Sequence, residues 1–448
     1  MTSEREDLCA AISRALDGRQ LLWMGIRGDD ARALAEIPEF AGSFSIINRY
    51  SHRPLDYSMA YEDITGVRVD LDDWDIDAHP FDEATAEFRH QIRVAMAKDS
   101  AVVTYRPSEF LSALVFSRAD RCRYLGLYAS HHHAFEHKPW VEVAVAKMGI
   151  PTLGWRYVAD EEQLDVPMLL GAGPVVVRPS RGSGGTGITK AEGIAELVRS
   201  WPHGEEFFAS VSPYLDGCIS MNVGAVVWDD GVTIHHPSVQ LIGIPGCTRR
   251  EFGYCGNDFA AVKQMGNTVI RQMEHQTRRI GDWARSQGYR GAFGVDFMVQ
   301  GDRLLFTEMN PRMQGSTRLS SRLSALSEQP CILLDHVAAL LHLSTPIRPS
   351  LPELVDMAPD AAQVMLHNLS GAPAPLRPAH ITARVLEIAP DSIIELAPSH
   401  DLFAAPDSTM AAARFPRSVT ETGHSLDSRL ATALAEQATQ QQEGDQHA

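Results

Sequence analysis

The sequence predicts a chain of α/β and α+β class: a parallel-sheet α/β region first, an antiparallel α+β region next, and a small β-rich region last. Three observations carry this. Apolar strand-like runs alternate with helical stretches over roughly the first third of the chain, the pattern of a parallel sheet with crossover helices. From about residue 210 onward, Asp-Gly and Gly-Asp turns separate β-rich runs, which marks antiparallel hairpins. Between the two lies a glycine-rich stretch, VVVRPSRGSGGTGITK (175–190), that fits neither pattern.

Composition narrows the function classes. The 448 residues are 44 % hydrophobic and 22 % charged, ordinary for a globular protein. This length suits roughly two to four domains. A formal net charge of −17 argues against nucleic acid or an anionic membrane as partner, since both require basic patches. The opening MTSEREDLCAAISRAL alternates charges without an apolar core, so it does not read as a signal peptide. No apolar run approaches a membrane span. Cys9, Cys122, Cys218, Cys247, Cys255 and Cys331 are scattered, with no C-x-x-C pair. That predicts reduced thiols, no zinc site and a cytoplasmic location.

In order, RQLLWMGIRG (19–28) reads as the first strand, SFSIINRY (43–50) as the second and AVVTYRP (101–107) as the third. Helical stretches precede and follow the third, at 83–99 and 108–119. Gly28, Asp29 and Asp30 after the first strand suit a helix cap. The run His131–His133 suggests a metal, but adjacent residues on a strand or loop point different ways, and no carboxylate or cysteine stands at ligand spacing. An exposed turn or a wall of the substrate site is the better reading. Lys138 and Pro139 open an apolar helix that ends at Gly149, in keeping with proline at helix starts and glycine at helix ends.

Three templates compete for the glycine stretch. Gly182, Gly184 and Gly187 match the dinucleotide fingerprint G-x-G-x-x-G, which needs a helix opening directly from the glycines. Here Pro179 intervenes, and the β-branched Ile188 and Thr189 suit a second strand. The nucleotide loop G-x-x-x-x-G-K-[ST] fails, because Ile188 stands where lysine must be. A strand–loop–strand hairpin remains, either folding its N–H groups over a triphosphate or carrying a long decorative loop.

The segment 206–243 reads as strand, turn at Asp216-Gly217, strand, DDG turn and strand. A glycine-rich loop (243–262) and an amphipathic helix (269–288) follow. Next, GAFGVDFMVQGDRLLFTEMNPR (291–312) places Asp296 on one strand of a hairpin. Glu308 and Asn310 lie two apart on the other, so their side chains share a face. Two carboxylates and an amide oxygen are hard ligands suited to Mg²⁺ together with phosphate oxygens. A solvated polar face is the alternative. Phe293, Val295, Phe297, Leu305, Phe306 and Met309 weaken it, because they make these core strands, where carboxylates need compensation.

The order of glycine hairpin, hinge strand and GVDF…FTEMNPRMQGST closely resembles the ATP-grasp superfamily of carboxylate–amine ligases, over roughly Ala134 to Leu343. The resemblance implies an ATP-grasp fold, with ATP and Mg²⁺ held between two α+β subdomains. It divides the chain into an N-terminal pre-ATP-grasp domain (1–135), an ATP-grasp domain (136–345, with subdomains 138–210 and 211–345), a C-terminal domain (346–435) and a polar tail (436–448). VVVRPSRGSGG is similar to the carbamoyl-phosphate-synthetase variant, in which arginine replaces the usual lysine. On this match Lys138 and Arg178 would contact ATP. Gly182, Ser183, Gly184, Gly185 and Thr186 would cover its phosphates, and Ser210, Val211 and Tyr214 would line the adenine. Asp296, Glu308 and Asn310 would carry Mg²⁺. Arg312 would hold phosphoryl oxygens, with Gly315 and Ser316 at the tetrahedral oxyanion.

One departure stands out. The family often places a glutamate after the Asp-Gly turn to bind ribose, but this chain has Ile219 and Ser220 there. Arg249 and Arg250 are candidate substrate contacts, although a solvated charged loop explains them equally well. The flanks, including HITARVLEIAPDSIIEL (380–396) read as β-rich, look like the pheganomycin-type peptide ligases of antibiotic biosynthesis. The resemblance then implies joining a guanidino-bearing carboxylate to a peptide amine through an acyl phosphate, with release of ADP and phosphate. The expected partners are a small carboxylate and an amine or peptide, and the expected assembly is a homodimer. A kinase or carboxylase on the same ATP site, a non-catalytic nucleotide sensor and a dinucleotide oxidoreductase are the alternatives.

Overall fold

The structure, a computed structural model, describes residues 3–71, 76–77, 82–118, 120–159, 171, 173–202 and 208–434. The predicted tail, 436–448, lies outside them.

The parallel sheet forms as the alternation predicts. Its five strands run in the order Tyr57–Ala60, Phe40–Ile47, Gln20–Arg27, Ser100–Thr104 and Cys122–Leu125, all parallel. Leu21, Leu22, Trp23, Ala101, Val102 and Val103 are buried. Such continuous apolar runs mark strands covered on both faces. Helix Glu4–Leu16 packs Ile12 and Leu16 with Trp23 and Val103 on one face. Helix Glu83–Ala95 packs Phe88 and Ile92 with Leu22 and Val102 on the other. The outer strands escaped the sequence reading because each has only four residues.

The histidine run sits on a helix, Ala129–Glu136, rather than on a strand or loop. His132 is buried while His131 and His133 are exposed. Helix Lys138–Lys147 follows with Pro139 in its first turn, and Gly149 just beyond takes φ +75°.

Two antiparallel sheets come next. The smaller has the order Arg156–Ala159, Phe208–Pro213, Val175–Arg178 and Thr189–Ala191. Its small core gathers Val175, Val177, Ala191, Leu197, Trp201, Ala209 and Val211. The larger has eight strands, starting Arg303–Asn310, Gly291–Gln300, Ile219–Val227, Val232–Ile242 and Tyr254–Asp258. Helix Asn267–Ser286 covers one face with Val269, Ile270, Met273 and Ile280. Helix Ile332–Leu340 shares a core with the N-terminal region, because Leu333, Leu334 and Val337 pack with Trp23, Leu34 and Trp228.

The C-terminal strands Ala362–His367, Thr409–Phe415 and Ile393–Glu395 continue this same sheet, joining it at Tyr254–Asp258. Within HITARVLEIAPDSIIEL, the first part is a helix, Pro378–Ile388, and only Ile393–Glu395 is a strand. Ile381, Val385 and Ile388 recur at helical spacing and are the residues it buries. Val67–Arg68 pairs with Leu402–Ala404, so the N- and C-terminal regions are stitched together. All six cysteines are free and buried. No helix among the described residues is long and apolar enough to cross a membrane.

Candidate active site

A cavity of about 540 Å³ opens between the small sheet, the large sheet and the carboxyl ends of the N-terminal strands at Arg27 and Tyr105. Strand ends of α/β sheets are where ligands are usually held. Its floor is the hairpin of Gly291–Gln300 and Arg303–Asn310. Asp296 stands directly opposite Glu308, and Gly294 opposite Asn310. The predicted convergence of the three side chains therefore forms.

A polar network orients the floor. Asn310 Nδ2 donates to Asp296 Oδ2 at 3.0 Å, and Gln314 Nε2 donates to Asp296 Oδ1 at 2.9 Å. Asn222 Nδ2 donates to Gln314 Oε1 at 3.3 Å, which fixes which end of that amide faces Asp296. Gln314 lies across Gly294, where a Cβ would come within 1.9 Å of its Cδ. Burial, then the charge of Glu308, pushes the Asp296 carboxyl up to about 7, against the Gln314 and Asn310 hydrogen bonds.

Two buried cations face these carboxylates. Lys138 Nζ lies 3.2 Å from Glu308 Oε1 and donates to the Gly182 carbonyl at 2.8 Å. Burial pulls its ammonium below the ordinary value, opposed by Glu308. Arg178 ends strand Val175–Arg178 and donates to the Thr307 carbonyl at 3.1 Å. It also meets Glu142 Oε2 at 3.4 Å and lies 3.8 Å from the ring centroid of Trp155.

The roof is the glycine loop. Thr189–Ala191 pairs antiparallel with Val175–Val177, so the stretch is a hairpin and the dinucleotide template falls. Gly184 and Gly185 have φ of +59° and +83°. A Cβ on Gly185 would sit 2.0 Å from the Phe252 carbonyl oxygen. The loop rests on this segment, and the Tyr254 N–H donates to the Gly184 carbonyl at 3.4 Å. Gly182, Ser183, Gly184, Gly185 and Thr186 all line the cavity.

Other expected residues divide. Tyr214 lines the cavity beside Ser212, Leu215, Trp155 and Val176. Ser210 and Val211 do not: Val211 belongs to the core of the small sheet, and Ser210 is buried opposite Arg178. Strand alternation sends Val211 to the far face. Arg312 lines the cavity, and His132 Nε2 donates to the Pro311 carbonyl at 2.6 Å just before it. Gly315 also lines it, against the Tyr254 ring. Ser316 does not; its Oγ accepts from Asn222 Nδ2 at 2.9 Å. Arg249 pairs with Asp407 at 2.7 Å, Arg250 pairs with Asp70, and neither lines the cavity. These two arginines pin their loop between the N- and C-terminal regions, and their neighbours Glu251 and Phe252 face the cavity instead.

Where the ribose carboxylate is missing, Ser220 lines the wall with Gln240, Thr422 and His424. His424 Nε2 donates to the Cys218 carbonyl at 3.1 Å. Asn222, Gln314, Tyr254 and Trp155 escaped the sequence reading. A signal existed for Asn222, a polar residue inside the apolar strand ISMNVGAVV. Among the described residues no three His, Cys, Asp or Glu side chains converge as a metal site. The candidate set holds two carboxylates and an amide, enough only if a nucleotide supplies further oxygens.

The profile of the ATP-grasp domain matches residues 148–316. Curated relatives include the formate-dependent phosphoribosylglycinamide formyltransferase of Synechococcus sp. (strain CC9311), 24 % identical over 213 residues, covering 46 % of this chain and 50 % of that protein. The enzyme of the same name from Geobacter metallireducens is 24 % identical over 229 residues, covering 50 % and 53 %. The chain thus spans about half the length of these relatives. Among solved structures, the ATP complex of carboxyaminoimidazole ribonucleotide synthase from Aspergillus clavatus has a TM-score of 0.58 at 15 % identity, covering 94 % of this chain and 99 % of that one. Biotin carboxylase from Campylobacter jejuni gives 0.57 at 13 %, covering 90 % and 88 %. With the glycine hairpin, the carboxylate floor and this likeness along nearly the whole chain, the protein has the ATP-grasp fold.

Proposed function

We propose that this protein is an ATP-dependent carboxylate–amine ligase of the cytoplasm. The observation that carries the reading is the opposed pair Asp296 and Glu308, set between Lys138 and Arg178 beneath the glycine hairpin. A mixed-charge floor under a loop of backbone N–H groups suits a triphosphate.

Mg²⁺ fits the donor set, since the Asp296 and Glu308 carboxylates stand opposite each other, and burial with the charge of Glu308 raises the Asp296 carboxyl. Asp296, Glu308 and the Asn310 amide oxygen would hold it, and it would neutralise charge on the phosphates. In the proposed reaction a substrate carboxylate oxygen attacks the γ-phosphorus, forming an acyl phosphate and releasing ADP. An amine then attacks the acyl carbon, phosphate leaves, and the amine proton passes to solvent or phosphate. Lys138 and Arg178 hold the phosphoryl oxygens, and Arg312 with the Gly315 backbone faces the tetrahedral oxyanion. The glycine loop, resting on Phe252, keeps water from the acyl phosphate.

The finer reading is a peptide ligase of antibiotic biosynthesis, like that of pheganomycin, with a guanidino acid as donor and a peptide N-terminus as acceptor. Asp216 and Glu251 on the cavity wall suit a cationic donor. The test supplies ATP, a guanidino acid and a short peptide, and follows nucleotides and amide by mass spectrometry. ADP, phosphate and the amide are expected. AMP as the main nucleotide would mean adenylate chemistry and end the reading. ADP without amide across a broad amine panel would make the protein a kinase.

A further inference from the structure

Outside the cavity, one carboxylate serves three guanidiniums. Arg318 Nη1 lies 2.7 Å from Glu395 Oε2, Arg414 Nε 3.1 Å from Oε1, and Arg322 Nη1 4.0 Å from Oε1. Arg318 and Arg322 come from helix Thr317–Leu326, and Arg414 and Glu395 come from neighbouring strands of the C-terminal region. The N-terminal region adds Arg32, whose charge acts on Arg322 and on His52. His52 lies 3.5 Å from Asp29, whose carboxylate also accepts from Ser51.

The cluster is under-compensated. Three guanidiniums gather on the one carboxylate of Glu395, and the exposed Arg32 adds its charge to that of Arg322, in a chain whose formal net charge is −17. Arg322 Nε is buried with no hydrogen-bond partner. Arg32 makes no hydrogen bond or ion pair among the described residues. Burial and the nearby charge of Arg414 hold the Arg322 guanidinium below its ordinary value. Like charges held this close lower stability unless an anion joins them. None of the four arginines lines the nucleotide cavity. Helix Thr317–Leu326 nevertheless starts directly after the turn carrying Arg312 and Gly315.

We propose that Arg32, Arg318, Arg322 and Arg414 form a second anion site, which binds a multiply charged phosphate-class oxyanion where the N-terminal region, this helix and the C-terminal strands meet. Planar guanidiniums from separate elements match the several oxygens of such an anion.

The test is calorimetric titration of the full chain with inorganic phosphate, and separately with glycerol phosphate, with and without ADP. One phosphate site that persists with ADP present is expected. Arg32→Gln and Arg322→Gln should each weaken it about tenfold, the loss of one charge-assisted contact. Tighter glycerol phosphate binding would identify a phosphoryl group on a larger molecule as the natural ligand; tighter inorganic phosphate binding would identify the free ion. Arg32→Gln breaks no internal bond, so without phosphate it should melt at a temperature equal to or above wild type. No binding would overturn the proposal. So would binding unchanged in Arg32→Gln and Arg322→Gln but lost in Arg178→Met, because that would place the anion in the cavity.

Discussion

Arg68 and Arg178 are both buried guanidiniums, exposed by 0 % and 3 %, yet their surroundings differ in kind. Arg68 is saturated. Its Nε and Nη2 donate to both oxygens of Glu62 at 2.7 and 3.0 Å, and Nη2 also reaches Asn48 Oδ1 at 3.1 Å. Its Nη1 donates to the carbonyls of Leu396 and Met410 at 2.7 and 3.0 Å. These bonds tie the N-terminal region to the C-terminal strands. Arg178 has one carbonyl, a long contact to Glu142 and the face of Trp155, and its Nε has no partner. A structural charge is closed by the fold itself. On the proposed function Arg178 keeps bonding capacity in reserve for a ligand, and the fold bears the cost of leaving it open.

The largest expected effect breaks the open side of this contrast. Glu308→Gln should lower ATP-dependent turnover on the order of a thousandfold, since in the proposed mechanism it removes one of the two carboxylates that would hold Mg²⁺ against the phosphates. Its thermal unfolding should stay within a few degrees of wild type, because the amide oxygen still accepts from Lys138. Steady-state kinetics with a melting curve decides; a folded variant with ordinary turnover would remove Glu308 from the mechanism.

The closed side should fail in the opposite way. Arg68→Met leaves Glu62 buried without its partner and should cost about 3–5 kcal/mol in urea unfolding. Arg178→Met should cost less than half as much in the same assay, while turnover collapses. Equal stability losses would erase the distinction.

Gly185 sharpens the comparison on the backbone. Gly185→Ala meets both a φ of +83° and the Phe252 carbonyl at 2.0 Å, so the loop must lift. Turnover should fall roughly a hundredfold from misplaced contacts. Gly301→Ala has a φ of +59° but open space around the Cβ. It should lose only about 1 kcal/mol of stability, with turnover intact. A similar kinetic loss in both would mean that backbone strain, not loop closure, governs Gly185.

The smallest effect concerns a second closed network. Asp335 accepts from Arg348 Nη2 at 2.7 Å and Thr233 Oγ1 at 3.0 Å, with His235 Nε2 at 3.2 Å. Burial pushes its carboxyl up, but the hydrogen bond and charge of His235, with those of Arg348, outweigh it and hold it below its ordinary 3.8. A depressed folded pKa gives stability that is complete above the unfolded value and fades as pH falls through the folded one. Asp335→Asn should therefore show a shallower acid limb below about pH 4 in unfolding titrations. An unchanged limb would mean that other carboxylates set it.

The features legible in the sequence are those whose cause is local. Strand alternation alone puts Glu308 and Asn310 on one face, and the Gly301-Asp302 turn brings Asp296 opposite. Glycines at positive φ and the β-branched Ile188 and Thr189 identify the hairpin. Apolar spacing reveals helix Asn267–Ser286. What no local pattern contains is which distant segments meet. Arg249 and Arg250 look like substrate contacts until Asp407 and Asp70, far away in the chain, claim them. Asn222 becomes a positioning residue only when Gln314 and Ser316 fold over it. The C-terminal strands extend the large sheet because Tyr254–Asp258 offers them an edge, and Glu395 gathers three arginines only once that pairing exists. Backbone preference and side-chain period act over a few residues and are written in the sequence. Edge pairing, burial and charge compensation act through space, and the tertiary structure alone decides them.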